Sequence, residues 1–224
     1  MAESDLMTMS ELPPPTARQE EGPCSNPGCL SQPAIPCEYV DRRGRVCPTA
    51  WCPPHQHIVG AAIYCRRHAG VMVALLSAPE DERDFPDLDN RAPSLVEFMA
   101  GRLHAGIVWI LEATAAAYPG ASIGTDGLHI TRSGMPRVRG WQHQWRLFDP
   151  TGPLATLALR VDEETDDLVQ ARVDGSVVHK AVPPWISQRA APSEEEDVAR
   201  REAFDDELLS AMWQAISVRS GKHY

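Results

Sequence analysis

The chain lacks an apolar leader: its first residues include Glu3 and Asp5 and no hydrophobic core segment. It also lacks a clear membrane span. Its longest apolar stretch, around residues 106–111, is stopped by Glu112, far short of the roughly 20 residues a bilayer requires. No membrane association and a cytoplasmic location are therefore expected. There is no G-x-S-x-G elbow, no Walker loop and no dinucleotide fingerprint, so no catalytic residue is assigned. Lysine is scarce, with 2 against 19 arginines, which reads as codon bias and not as function. Cysteine is absent outside residues 24–65, which concentrates all thiol chemistry in one short segment.

What is present resembles an average soluble protein: 224 residues, 43% apolar and 23% charged, enough for one ordinary domain and a small module. The net charge of −10 is unlike that of a freely basic nucleic-acid binder. The charge is uneven. Between Cys24 and Gly70, five arginines face Glu38 and Asp41, so that segment is +3 and the remainder −13. A site of three thiolates, one neutral histidine and a divalent ion carries −3 + 2 = −1, so two such sites cancel most of the local excess.

The chain divides by composition. Residues 1–22 are polar, acidic and proline-bearing and predict a disordered tail. Residues 23–72 form the cysteine-rich module, and residues 77–93, with three prolines and six acids, read as a linker or exposed loop. Residues 94–219 predict an α+β domain. Ser94 with Glu97 forms a capping box, and a helix runs from there to about Tyr118, before Pro119-Gly120. Strands are predicted over 128–132, 137–148, 155–161, 169–173 and 176–182, with Asp174-Gly175 as a two-residue hairpin turn. Ser193 with Glu196 opens a last helix, whose Phe204, Leu208, Met212 and Ile216 recur every four residues. A helix, an antiparallel sheet of four or five strands and a second helix predict one curved sheet covered by two helices.

The cysteine and histidine spacing carries most of the information. The pairs are Cys24-x4-Cys29, Cys37-x9-Cys47, Cys52-x2-His55 and Cys65-x2-His68, eight donors within 45 residues. Clustered cysteines in a reducing compartment point to metal in preference to disulfides. Two tetrahedral Cys/His sets are what zinc favours, so two structural zinc ions are predicted. His57 competes with His55 as a ligand. Asp41-Arg42-Arg43-Gly44 reads as the turn of a hairpin presenting Cys37 and Cys47. Val40, Val46, Trp51, Ile58, Ile63 and Tyr64 are the expected small core, too small to hold without metal.

Cys37-x9-Cys47 followed by Tyr64-Cys65-Arg66-Arg67-His68 resembles the WRC-type zinc motif of plant growth-regulating transcription factors. The resemblance covers residues 37–68 and departs from the motif in the middle, where 17 residues separate Cys47 from Cys65. If Cys37, Cys47, Cys65 and His68 hold one ion, then Cys24, Cys29, Cys52 and His55 hold the other. Such interleaving is similar to the cross-brace plan of RING and B-box fingers.

These residues predict a non-enzymatic zinc-binding adaptor for a protein partner that the sequence does not identify. The alternative is nucleic-acid binding through Arg42, Arg43, Arg45, Arg66 and Arg67, as the WRC resemblance implies. A third reading is a small-molecule binder or enzyme with a pocket lined by Trp141, His143 and Trp145. In it His129, His143 and His179 could converge, and His104 lies near Trp109 and Glu112 in sequence. Core packing is the simpler account of that aromatic stripe.

Overall fold

In the computed structural model, which describes residues 22–133, 138–187 and 193–219, a five-stranded antiparallel meander carries the C-terminal two-thirds of the chain. Its strands are β5 (Ser122–Ser133), β6 (Val138–Asp149), β7 (Gly152–Asp162), β8 (Val169–Val173) and β9 (Ser176–Ala181), and each pairs with the next. The alternating pattern forms the sheet as expected. Trp141, Trp145 and Leu147 on β6, Leu157, Leu159 and Val161 on β7, and Val169, Ala171 and Val173 on β8 all point inward and are buried. The Asp174-Gly175 turn has positive φ at both residues, +45° and +80°, which matches the twist of a tight hairpin. Of the expected termini, residues 1–21 and Arg137 lie outside the described residues.

Two long helices cover the inner face. Helix α2 (Ala92–Ala115) lays Leu95, Met99, Leu103, Ile107, Ile110 and Leu111 on β6 and β7. Each fully buried aliphatic side chain of this kind contributes about 1.5–3 kcal/mol. Helix α4 (Glu194–Arg219) buries Phe204, Leu208, Met212 and Ile216, one residue per turn, against α2, β8 and β9. The two helices approach closely where Gly106 faces Leu209: a Cβ at Gly106 would sit 2.5 Å from Leu209 Cδ1. A short helix α3 (Pro184–Ser187) packs against α4.

The α+β class is as expected, but several details differ. Helix α2 starts two residues early. Ser94 makes no capping bond; its Oγ has no hydrogen-bond partner, because Asn90 Oδ1 already accepts from the Ala92 amide at 3.0 Å. Glu97 points instead to His143. At the other end Ser193 does cap α4, its Oγ accepting from the Glu196 amide at 3.2 Å. Helix α2 is also long and apolar enough to cross a membrane, contrary to the sequence expectation, though its apolar stripe is spent on the sheet.

The N-terminal module contains two small hairpins, β1 (Ile35–Pro36) with β2 (Ala50–Trp51) and β3 (His57–Val59) with β4 (Ala62–Tyr64). It runs directly into a helix that the sequence reading missed, α1 (Arg66–Ser77), which packs on β5. Half of the expected module core is misplaced: Tyr64 is buried and Trp51 packs against the core, but Val40 is 42% exposed, Val46 38% and Ile58 64%. Strand alternation explains this, since Tyr39 shares the inward face with Cys37 and leaves Val40 outside. Cys37, Tyr39, Cys47, Tyr64 and Cys65 belong to one continuous apolar cluster with α1, α2 and the sheet.

Candidate metal centres

Four chain segments build two donor sets. In the first, a turn closed by the Cys29 amide on Asn26 O (3.0 Å), with Gly28 at φ +77°, aims Cys24 and Cys29 together. A second turn, His55 amide to Cys52 O at 2.8 Å, adds Cys52 and His55. The β1–β2 pairing of Ile35 with Trp51 brings these segments together. In the second set, a hairpin held by the Val40–Val46 bridge presents Cys37 and Cys47. Cys65 is the N-cap of α1, its Sγ accepting from the His68 amide, and His68 follows in the first turn.

Within each set all four donor atoms lie within 4.8 Å of one another. The grouping is the interleaved one. Cys24 Sγ and Cys52 Sγ lie 3.6 and 3.3 Å from His55 Nδ1, and Cys29 Sγ lies 3.8 Å from Cys52 Sγ. Cys37 Sγ and Cys65 Sγ lie 3.5 and 3.3 Å from His68 Nδ1. A tetrahedron with Zn–S of about 2.3 Å and Zn–N of about 2.0 Å has S···S edges of about 3.8 Å and S···N edges of about 3.5 Å. The donor sets therefore fit zinc in both chemistry and size. None of the six cysteines forms a disulfide. His57, the competitor for His55, is exposed on β3.

The surroundings favour thiolates. Burial pushes the Cys24 thiol up, but the Cys52 and Asn26 amides and the His55 ring outweigh it and lower the thiol to about 6. In the second set, hydrogen bonds with Cys37 and Cys65 hold Cys47 far below the ordinary thiol range. Contacts with Cys47 and Cys65, with burial, push Cys37 far up. Three sulfurs this close cannot all be anionic unless a cation joins them, and a divalent ion does so. The Cys65 amide donates to Cys37 Sγ at 3.3 Å, a further contact to sulfur.

The second set is sealed: all four of its residues are buried, whereas Cys29 and His55 of the first are partly exposed. Tyr39 stacks on His68, with centroids 4.0 Å apart and planes 12° from parallel. Asn26 reaches His55 Nε2 at 3.3 Å. When Nδ1 binds a metal, Nε2 carries the proton, and the Asn26 amide turned by half a rotation would accept it. Neither Tyr39 nor Asn26 was singled out from sequence. The alternation that places Tyr39 beside Cys37 was the available signal for Tyr39.

The five arginines behave differently from one another. Arg42 donates to both Asp87 oxygens at 3.0 and 2.9 Å, Arg43 reaches the same carboxylate at 2.9 Å, and Arg45 bridges Asp41 and Asp89 at 2.7 and 2.6 Å. Residues 77–93 thus lie against the module as an acidic belt. Asp41 is buried, and its carboxylate also accepts from the Arg43, Arg45 and Leu88 amides. Burial raises its pKa, but these bonds, led by the Arg45 amide and guanidinium, win and lower it to about 2. Arg66 and Arg67 have no carboxylate partner among the described residues; Arg67 donates to Asn90 O at 2.6 Å.

The remaining sequence candidates disperse. Trp141 and Trp145 are fully buried core, and Trp145 Nε1 donates to His104 Nδ1 at 3.1 Å. His129 sits by Gly127 O, His143 by Glu97 and His179 by Glu207, so the three histidines share no site. Comparison of the chain with protein-family models, curated proteins and solved structures finds no match.

Proposed function

We propose that the chain is a non-enzymatic adaptor whose N-terminal module is structured by two zinc ions and presents a fixed surface to a protein partner. The observation that carries this reading is the pair of complete Cys3His sets with tetrahedral edge lengths, one of them buried in the core shared with the sheet. Four protein donors leave no open position for water or substrate, which is the mark of a structural and not a catalytic zinc. The proposed ligands are Cys24, Cys29, Cys52 and His55 for one ion and Cys37, Cys47, Cys65 and His68 for the other, a reading that the grouping of the donors supports. Zinc held by reduced cysteines suits the cytoplasm.

The nucleic-acid reading is weakened by the ion pairs of Arg42, Arg43 and Arg45, whose charge is returned to Asp87, Asp41 and Asp89. Phosphate contacts need unspent positive charge. Elemental mass spectrometry on protein purified without added metal tests the first claim, with two zinc equivalents expected. A metal-free yet fully folded sample would overturn it. Stoichiometric co-purification of one partner, lost on chelation, tests the second. A salt-dependent gel shift abolished by R66E/R67E would instead establish the nucleic-acid reading.

A further inference from the structure

Helices α1 and α2 begin side by side, and each carries arginine in its own sequence at its start. The positive end of a helix dipole favours acids in the first turn. Neither helix has one; α1 opens with Arg66 and Arg67, and Arg91 is the N-cap of α2. Arg67 spans the gap by donating to Asn90 O, one residue before that cap. Most arginines whose contacts are described have a carboxylate partner, but Arg66, Arg67, Arg83, Arg91 and Arg172 have none; Arg83 and Arg172 donate to carbonyl or amide oxygens, whereas the Arg91 side chain has no polar partner at all among the described residues. A zinc-bound Cys3His set beside Arg66 and Arg67 offsets part of their charge; at the start of α2 the Asp166 carboxylate accepts from the Arg91 backbone amide at 2.8 Å but does not pair with the Arg91 side chain.

Two cavities open on either side of Arg67. The larger, about 580 Å³, is bounded by Arg66, Arg67 and Trp51; its one acid, Asp89, is spent on Arg45. The smaller, about 350 Å³, is lined by Arg67, Arg91, Arg201, Ser94, Phe98 and Trp185, with no acid among its lining residues. Ser94 Oγ and Arg201 Nε have no hydrogen-bond partner, although Arg201 does pair with Asp197 through Nη2 at 2.8 Å. Phe98 and Trp185 meet edge to face at 5.8 Å and form an aromatic wall beyond the guanidiniums. Phe98 is 45% exposed.

We propose that this smaller cleft, centred on Arg67 and Arg91, binds a phosphate monoester whose carbon body is aromatic. Several guanidiniums and two helix starts suit a group of charge near −2 better than a carboxylate, and arginine matches phosphate oxygens two at a time. The half-exposed Phe98 ring gives the ester's carrier a place to pack, while Trp185 is engaged by the Arg201 and Arg102 guanidiniums at 5.2 and 5.7 Å. The site goes beyond the adaptor reading, since none of its residues is a zinc donor. A free aryl phosphate and a phosphorylated tyrosine of a partner protein share this chemistry.

The test is calorimetric titration of the full, zinc-loaded chain at low salt, with Trp185 fluorescence as a second signal. The probes are phenyl phosphate, inorganic phosphate, a phosphotyrosine peptide and an oligonucleotide without terminal phosphate. Saturable binding of phenyl phosphate, tighter than inorganic phosphate, is expected. R67Q and R91Q should each weaken it by at least about tenfold. R219Q, which removes one distant charge, should leave it unchanged. Tighter binding of the peptide than of phenyl phosphate would assign the site to a partner protein, and equal binding to a small molecule; either supports the proposal. Because the Arg91 side chain has no polar partner among the described residues, R91Q remains informative even if R67Q folds poorly. Absence of saturable binding at millimolar phenyl phosphate, an unchanged affinity in R91Q, equal affinity for inorganic phosphate, or tighter binding of the oligonucleotide would each overturn it. Zinc content measured on the same samples separates this failure from failure of the metal reading.

Discussion

The ring of Tyr39 lies flat on the imidazole of His68, 4.0 Å between centroids, while its hydroxyl donates to Pro86 O at 2.6 Å. One side chain thereby orients a metal donor and anchors the acidic belt to the module. Replacing Tyr39 with Phe keeps the stack but leaves the Pro86 carbonyl without this donor. The expected cost is about 1–3 kcal/mol in urea unfolding, with both zinc ions retained. Tyr39→Ala removes the stack as well. It should cost about 3–5 kcal/mol and speed zinc release from the buried site. Equal release rates in the Ala and Phe variants would refute the orienting role.

The two donor sets differ in exposure, and zinc loss should follow that difference. A chromophoric chelator is expected to take one equivalent quickly, from the set with half-exposed Cys29 and His55, and the second only on global unfolding. Cys29→Ser should lose one zinc and keep the sheet, whereas Cys37→Ser, inside the shared core, should lose the module and lower the stability of the whole chain. Zinc stoichiometry with far-ultraviolet circular dichroism reads both. Simultaneous release of the two ions would contradict the assignment.

Asp41 gives a prediction with a defined sign. Its folded pKa is depressed from 3.8 to about 2, so its contribution is complete above about pH 4 and fades as the pH falls toward 2. Asp41→Asn replaces an acceptor with an amide donor facing the Arg45 guanidinium and Leu88 amide, at a cost of about 2 kcal/mol. The offset between this variant and the parent should be the same at pH 7 and pH 4.5. Any loss of stability between pH 6 and 4.5 then belongs to groups other than Asp41, the donor thiolates and imidazoles among them, and should be parallel in both proteins. An offset that shrinks above pH 4.5 would show that Asp41 titrates in the ordinary carboxylate range.

Sequence revealed what depends on local spacing. The Cys-x2-His pairs were legible because two donors three residues apart must sit on one tight turn. Strand β8 and the Asp174-Gly175 turn were legible because period-two alternation and a left-handed dipeptide act locally. Helix α1 is hidden because its first turn, Arg66-Arg67-His68, is also the Cys-x2-His ligand spacing, which masks the start of the apolar period Val71, Ala74 and Leu75. Asp87, the partner of Arg42, and Asp89, one of the two partners of Arg45, lie 45 and 44 residues away on the acidic belt, a distance over which sequence specifies no pairing. Ser94 illustrates a competition that sequence does not settle: the capping role went to Asn90, four residues earlier.

The helix-free face of the sheet offers the last prediction. Arg160, 1% exposed, lies across Gly140 and donates to Asp162 Oδ1 at 2.6 Å, to Val138 O at 2.9 Å and to the Thr131 hydroxyl. A Cβ on Gly140 would sit 2.6 Å from three atoms of that guanidinium. In a strand interior, Gly→Ala is ordinarily favourable by about 0.5–1 kcal/mol. Here the methyl group must displace a buried charge from several partners, and each charge-assisted bond contributes about 1.5–3 kcal/mol. Displacement outweighs propensity, so Gly140→Ala should destabilise the sheet by about 2 kcal/mol or more. Arg160→Met in the same background relieves the clash and removes the charge. The double variant should therefore be more stable than Gly140→Ala alone, and a chemical denaturation cycle over the four proteins reads that coupling directly. Strict additivity of the two substitutions would show that Arg160 does not depend on the missing side chain at residue 140.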